Sequence, residues 1–294
     1  MIPVPEQFAA GLTEREGEAG SAWIRELPSI VAGLCRQWTL LVDGPPMHGH
    51  LGLVVPVRRG EEPCALKVSW IDESTVHEIE ALNTWDGRGT VRLLEAAPDA
   101  GAMLLERLDA GRSLNDIPID RAVVIAGELI RLLSIDGNAR LPAMSEVAQA
   151  IGRSLYDRWE RVGRPMPRRL VDLAADHVLQ LSPAPDRRMV NWDLHYLNVH
   201  AGTRLPWLVI DPKVVIGSPE FGIAQLLWTR LDDVEGPADL RRLVRVLIET
   251  AGLDAALARA WTLVRVIDYW LWALSVGFTV DPTRCETVID WIGY

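Results

Sequence analysis

MVNWDLHYLNVHAGTRLPWLVIDPK, residues 189–213, sets three oxygen-bearing side chains, Asp193, Asn198 and Asp211, around one expected β-hairpin. Asn198-Val-His and Trp207-Leu-Val-Ile read as two short strands, and the turn between them holds Ala201-Gly202-Thr203 and ends in Pro206. Antiparallel pairing of these strands predicts Asn198 opposite Asp211, about 5 Å apart at the backbone. An amide oxygen and a carboxylate so placed are hard ligands of the kind Mg²⁺ takes.

Composition narrows what surrounds this segment. A chain of 294 residues, 49% of them apolar, buries a substantial core and suits one two-lobed domain or two modest ones. The longest apolar run, Ala260 to Val280, is interrupted by Arg265 and Asp268 and reads as a buried or interfacial helix, not a membrane span. The start of the chain has no basic cluster and no apolar signal core, so the expected location is the cytoplasm. Cys35, Cys64 and Cys285 lie far apart with no C-x-x-C pair, which argues against a disulfide framework or a zinc site.

The net charge of −10 disfavours nucleic acid as a partner, because phosphate-backbone binding needs a basic face. Most of the acidic surplus sits in residues 1–107, with 16 acidic against 9 basic, whereas residues 108–294 carry 24 against 21. Lysine usage is more telling. Only Lys67 and Lys213 are lysines, against 28 arginines, so each marks a place where a compact ammonium is preferred over a planar fork, unless codon bias left them by chance.

Reading outward toward the amino terminus, Glu16 to Trp38 has helical periodicity through Trp23, Leu27, Ile30, Val31 and Leu34. Trp38 to Val42 and Leu51 to Val57 read as paired strands. Between them DGPPMHGHLG places Gly44, Gly49 and Gly52 where a glycine-rich loop covers nucleotide phosphates, although Pro45-Pro46 suits an ordinary surface turn equally well. His48 and His50 read as loop, not as a metal site. Cys64-Ala-Leu-Lys-Val-Ser-Trp is a strand carrying Lys67, followed by a helix from Asp72 to Trp85. On that helix Ile79, Leu82 and Trp85 share one arc with Glu78, while Glu80 points away. A carboxylate turned toward a core needs a partner. Lys67 supplies one, and a capping box over Thr75-Val-His-Glu78 is the competing assignment.

Val91 to Leu94 and Met103 to Leu108 read as further strands, with ERLDAGRSL leading out as a hinge between lobes. Backbone groups at Glu106 to Leu108 are placed to receive an adenine edge. Beyond it the chain is mainly helical: Asp120 to Ile135, Met144 to Val162, Pro167 to Leu181, Pro219 to Leu231, Ala238 to Ala251, Asp254 to Val276 and Pro282 to Ile292, with loops at Pro183 to Pro185 and Gly236-Pro237. The expected fold is α+β, with a small β-rich lobe over 1–107 and a larger, mainly helical lobe over 108–294.

Asp193 and Asn198, five residues apart, match the spacing by which a kinase catalytic loop orients an attacking hydroxyl and holds a metal. Strand lysine, helix glutamate, hinge, catalytic loop and metal aspartate follow in order, and the chain resembles antibiotic kinases of the protein-kinase-like fold. VNWDLHYLNV, PWLVIDPK, WDGRGTVRLLE and LLERLDAGRSL are similar to the aminoglycoside and hydroxyurea phosphotransferase family, from about residue 20 to the end. The resemblance implies Asp193 as catalytic base or hydroxyl-orienting residue, Asn198 and Asp211 as magnesium ligands, and Lys67 as a phosphate ligand oriented by Glu78. It implies ATP and Mg²⁺ as cofactors and a small hydroxylated molecule, an aminoglycoside such as streptomycin or a related metabolite, as acceptor. His195 is expected to support the loop, and Lys213 to steady the loop or a phosphate.

Three departures from the family pattern stand out. Gly217-Ser218-Pro219 replaces the usual G-D-P, Gly222 stands where an acidic residue follows P-x-F, and Trp272 is followed by Ala273-Leu-Ser-Val, not by acidic residues. They motivate a rival reading as a non-catalytic, kinase-like nucleotide or metabolite sensor, against which the intact set of Lys67, Asp193, Asn198 and Asp211 speaks. An oxidoreductase using Gly87-Arg-Gly89 is a poor fit, because no G-x-G-x-x-G follows a first strand.

Overall fold

Leu27, Val31 and Leu34 recur on one helical face because that face covers a sheet, and Trp23 and Ile30 pack against the same cluster. The helix that carries them, α1 (Glu6–Gln37), begins earlier than its periodicity suggests and kinks at Gly17, whose φ of 63° is open to a residue without Cβ. This is a computed structural model that describes residues 2–183 and 187–294, so of the loop expected over Pro183 to Pro185 the last two positions lie outside the described residues.

The chain divides into two compact units, Met1–Leu108 and Asp109–Tyr294. In the first, β1 (Leu41–Val42), β2 (Met47–His48), β3 (Gly52–Arg59), β4 (Glu62–Ser69), β5 (Leu93–Ala97) and β6 (Ala102–Glu106) form an antiparallel sheet, and α2 (Glu73–Trp85) follows β4. The sheet order is β1-β3-β4-β6-β5, with β2 also paired to β3. Leu53, Val55 and Val57 on β3 and Cys64, Leu66 and Val68 on β4 alternate into the core beneath α1, as strand periodicity requires.

The second unit holds β7 (Asp109–Ser113), α3 (Ile119–Leu133), α4 (Met144–Arg161), α5 (Arg168–Leu181), β8 (Arg188–Asn191), β9 (Val199–Ala201), β10 (Trp207–Val209), β11 (Val214–Gly217), α6 (Gln225–Trp228), α7 (Pro237–Ala251), α8 (Ala255–Ser275) and α9 (Val280–Ile292). Two small sheets run through it, β10-β9-β7 and β11-β8.

Two features add to the sequence reading and one expectation needs correction. Asp109–Ser113, read as part of a hinge, is strand β7, whose pairing with β9 outweighs a polar, glycine-containing sequence that favours loop. The β8–β11 pair went unread because strands of four residues offer too short a window for alternation. The helix expected over Pro219 to Leu231 is broken into a 3-10 turn at Pro219–Gly222, the short α6 and a 3-10 turn at Leu231–Asp233. Phe221, Ile223, Ala224, Leu226, Leu227, Trp228 and Leu231 are all buried, and a segment buried on every side has no face for helical periodicity to reveal.

The run from Ala260 lies mostly in α8 and is buried, and among the described residues no helix is long and apolar enough to cross a membrane. All three cysteines are free thiols.

Candidate active site

Lys67 sits mid-strand in β4, opposite Val54 of β3 and Met103 of β6. Its Nζ donates to both carboxylate oxygens of Glu78, each at 2.7 Å, with Lys67 9% and Glu78 6% exposed. The helix arc explains the encounter: Ile79, Leu82 and Trp85 are buried, and Glu78 is carried inward with them. The capping box over Thr75 does not form. Asp72 is the N-cap of α2, accepting from the Thr75 backbone N–H at 3.1 Å, while the Thr75 hydroxyl donates to the Trp70 carbonyl. Burial by itself would raise Asp72, but hydrogen bonds from Ser74 and Thr75 hold its carboxyl below the usual range.

DGPPMHGHLG folds into a hairpin: Met47 and His48 pair with Val54 and Leu53, and the Gly49 N–H donates to the Gly52 carbonyl at 2.9 Å. His48 packs its ring on Phe8, with centroids 5.4 Å apart. Among the described residues no group of three or more His, Cys, Asp or Glu gathers as a metal cluster. At the end of the first unit the Glu106 N–H is spent on the Arg92 carbonyl at 2.9 Å, and its carboxylate accepts from the Arg92 N–H. Among the described residues the Leu108 backbone makes no such bond to other backbone groups.

In the second unit β8 delivers Trp192 and Asp193 into a loop held by three short contacts. The Trp192 N–H donates to the Lys213 carbonyl at 3.0 Å, the Asp193 N–H donates to Asn191 Oδ1 at 3.2 Å, and Lys213 Nζ lies 3.1 Å from Asp193 Oδ2. Both lysines of the chain are therefore engaged on carboxylates that the sequence singles out. A 3-10 turn over Tyr196–Asn198 follows, closed by the Asn198 N–H on the His195 carbonyl. The buried Tyr196 ring lies under the Arg230 guanidinium at 5.3 Å, and Arg230 Nη1 donates to the Leu114 and Ile117 carbonyls at 2.9 Å.

The β9–β10 register differs from expectation by one residue. Val199 pairs with Val209 and His200 with Leu208, and the Ile210 N–H donates to the Asn198 carbonyl at 2.9 Å. Asn198 thus faces Ile210, and Asp211 lies one position beyond. Val199 and Ala201 are buried on β9 with His200 more exposed between them, so the inward face of that strand is fixed by its alternation. Asp211 adopts φ of 50°, the left-handed region in which Asp is among the better-tolerated residues, and so leaves the ladder where β10 ends.

The departures from family pattern have structural readings. The Ser218 hydroxyl donates to Glu220, and the other oxygen of this buried carboxylate accepts from the Asp254 N–H at 3.0 Å, just ahead of α8. A Cβ at Gly222 would lie 2.7 Å from the Asn191 carbonyl oxygen and 3.0 Å from Val190 Cγ1, so no side chain fits there without moving the strand that leads to Asp193. Gly222→Ala is expected to destabilise the protein by about 1–3 kcal/mol, read as a lower urea midpoint. Native stability would show that this strand yields freely.

On the late helices an aromatic surface stands where acidic residues are usual. Tyr269 stacks on Trp228 at 4.7 Å and meets Trp272 at 5.4 Å, and Trp272 meets Phe278 at 5.6 Å. Trp272 is 44% exposed. The Tyr269 hydroxyl donates to Asp281 at 2.6 Å, and burial first, then that carboxylate, raises its pKa. Arg265, Tyr269 and Trp272 stand four and then three residues apart on α8, along one face that starts at the Trp192 carbonyl, 3.5 Å from Arg265 Nη2. Arg265 and Asp268 were legible in the sequence only as interruptions of an apolar run.

The profile of the aminoglycoside/hydroxyurea antibiotic resistance kinases matches residues 37–277. The chain belongs to this family. It is a phosphotransferase acting on a hydroxyl group. Streptomycin 6-kinase of Streptomyces glaucescens is 39% identical over 290 residues, covering 96% of this chain and 94% of the relative. Hydroxyurea phosphotransferase of Kitasatospora aureofaciens is 38% identical over 298 residues, covering 99% and 86%. Among solved structures, aminoglycoside phosphotransferase APH(4)-Ia superposes with a TM-score of 0.63 at 15% identity, over 91% of this chain and all of that one. A mutant of that enzyme was captured with ADP and hygromycin B. Choline kinase of Cryptosporidium parvum superposes with a TM-score of 0.58 at 13% identity, over 90% and 95%. The fold is protein-kinase-like.

Proposed function

We propose that this kinase transfers the γ-phosphoryl group of ATP, with Mg²⁺, to a hydroxyl of a small molecule, and that an aminoglycoside such as streptomycin is the acceptor. The observation that carries the reading is the hairpin around Asp193, Asn198 and Asp211, with Lys213 on the first of these carboxylates. The choice of acceptor rests on the streptomycin 6-kinase relatives.

Asp193 orients the acceptor hydroxyl and takes its proton as the oxygen bonds to the γ-phosphorus and the bond to the β–γ bridging oxygen breaks, releasing ADP. Lys67, held by Glu78, offsets charge on the nucleotide phosphates, and the Glu106 carbonyl and the Leu108 backbone receive the adenine edge. Asn198 and Asp211 fit a hard cation: one amide and one carboxylate leave the remaining positions to water and phosphate oxygens, as Mg²⁺ prefers. When bound, that ion neutralises charge developing on the transferred group.

The aromatic surface of Tyr269 and Trp272, backed by the buried Trp228 and with Asp281 beside it, is assigned to the acceptor. Aromatic faces attract cations and flat groups without acidic side chains in the usual places. Trp272→Ala is expected to raise KM for streptomycin about tenfold while leaving KM for ATP unchanged. An unchanged streptomycin KM removes this surface from the site.

The function itself is tested by incubating the protein with ATP, Mg²⁺ and a pool of hydroxylated acceptors that includes streptomycin. A product about 80 Da heavier, formed in step with ADP, is expected. Nucleotide binding without transfer to any acceptor in a broad panel refutes the reading.

A further inference from the structure

Arg265 is a guanidinium inside the protein, 5% exposed, on the face of α8 turned toward the loop that carries Asp193. It lies 4.4 Å from the centroid of the Trp192 ring and 5.2 Å from that of Phe221. Nη1 donates to Asp268 Oδ2 at 2.7 Å, and Nη2 reaches the Trp192 carbonyl at 3.5 Å. Nε has no hydrogen-bond partner among the described residues. Asp268 also holds Arg158, whose Nη1 is 2.6 Å from its other carboxylate oxygen, so two guanidinium groups share one carboxylate. Burial lowers the Arg265 pKa, and the Asp268 and Asp193 carboxylates oppose that shift.

An arginine placed only for stability would be expected to have its own counter-ion and filled hydrogen bonds, since a buried charge is costly otherwise. Arg265 has half a counter-ion, one orphaned donor and two aromatic faces, and one of those faces belongs to the residue immediately before Asp193. Gly222, next to Phe221, meets the same strand so closely that no supporting side chain fits there. We propose that Arg265 is a positioning residue for phosphoryl transfer: held by Asp268 and stacked against Trp192 and Phe221, it sets the backbone from which Asp193 projects and places surplus positive charge behind that carboxylate. This rests on the phosphotransferase reading with Asp193 at the reacting hydroxyl.

The planar, stackable guanidinium is the element to test, because lysine keeps the charge toward Asp268 and loses the stack. Arg265→Lys is expected to lower kcat about 100-fold, with KM for ATP and for streptomycin and the ATP dissociation constant within about twofold of native, since a small misplacement at the reacting centre costs rate, not affinity. Trp192→Leu, which removes the stack from the loop side at a half-buried position, is expected to show the same split and to add little to Arg265→Lys in the double variant. Native kcat in Arg265→Lys, or a loss that only matches the unfolded fraction at assay temperature, overturns the proposal. If Arg265→Lys does not fold, Trp192→Leu decides by the same criteria. Asp193→Ala is run alongside: transfer that survives it overturns the functional reading, whereas its loss beside native kcat in Arg265→Lys overturns only the role of Arg265.

Discussion

Asp193→Ala is expected to abolish phosphoryl transfer, by about 10²- to 10⁴-fold, in a protein that melts close to the native temperature. The side chain sits at the end of β8 and its ion-pair partner, Lys213, has a side chain 47% exposed. A pair so open to water contributes at most about 1 kcal/mol, so its loss leaves the fold in place. The chemistry has no such reserve, because no other carboxylate is placed on that loop to accept the hydroxyl proton. Asp193→Asn sharpens the test: it keeps shape and most polar contacts but accepts no proton, and it should fail nearly as completely. ADP formation measured together with circular-dichroism melting separates the two effects. A variant retaining more than about a tenth of native transfer would remove Asp193 from the reaction.

The second large effect concerns Lys67 and Glu78, and here stability and activity part in the opposite sense. Lys67→Ala strips Glu78 of the ammonium held at 2.7 Å from both of its oxygens in a site less than a tenth exposed. Breaking a buried pair from one side costs about 3–5 kcal/mol, which is a large share of a typical domain's stability. Lys67→Met combined with Glu78→Leu removes both charges and is expected to recover most of that loss, because desolvation no longer has to be offset. Activity should not return with it. Lys67→Arg is the complementary case: a fork on Glu78 keeps the ion pair and the melting temperature, but a planar guanidinium does not present a compact charge to phosphate, so kcat/KM for ATP falls. Denaturant titrations and steady-state kinetics on the three variants decide the matter, and full activity in the Met/Leu double variant would sink the assignment.

Much of this was legible because it is local. The three-residue steps of Ile79, Leu82 and Trp85 place Glu78 on a buried face, and that alone calls for a cation, of which Lys67 is the obvious one. Gly202 and Pro206 between two short apolar runs imply the hairpin, and the interruption of the late apolar run by Arg265 and Asp268 rules out a membrane span. Local spacing did not supply the register of that hairpin, which moves Asp211 one residue past Asn198 and depends on how β9 and β10 pair. Nor did it supply β7, β8 and β11, whose few residues become strands only because each finds a partner far along the chain.

Sequence by itself therefore determined the fold family, through strings such as VNWDLHYLNV and PWLVIDPK that resemble known kinases, and the pairing of Lys67 with Glu78, which follows from the short-range periodicity of one helix. Tertiary structure alone decided what stands behind Asp193. Arg265 lies 72 positions away in the chain, and its contact with Trp192 arises because α8 packs against the turn at Pro219–Gly222 and brings a buried charge against two neighbouring aromatic rings. Burial, shared counter-ions and the absence of room at Gly222 are properties of neighbours, and no residue type or spacing encodes them.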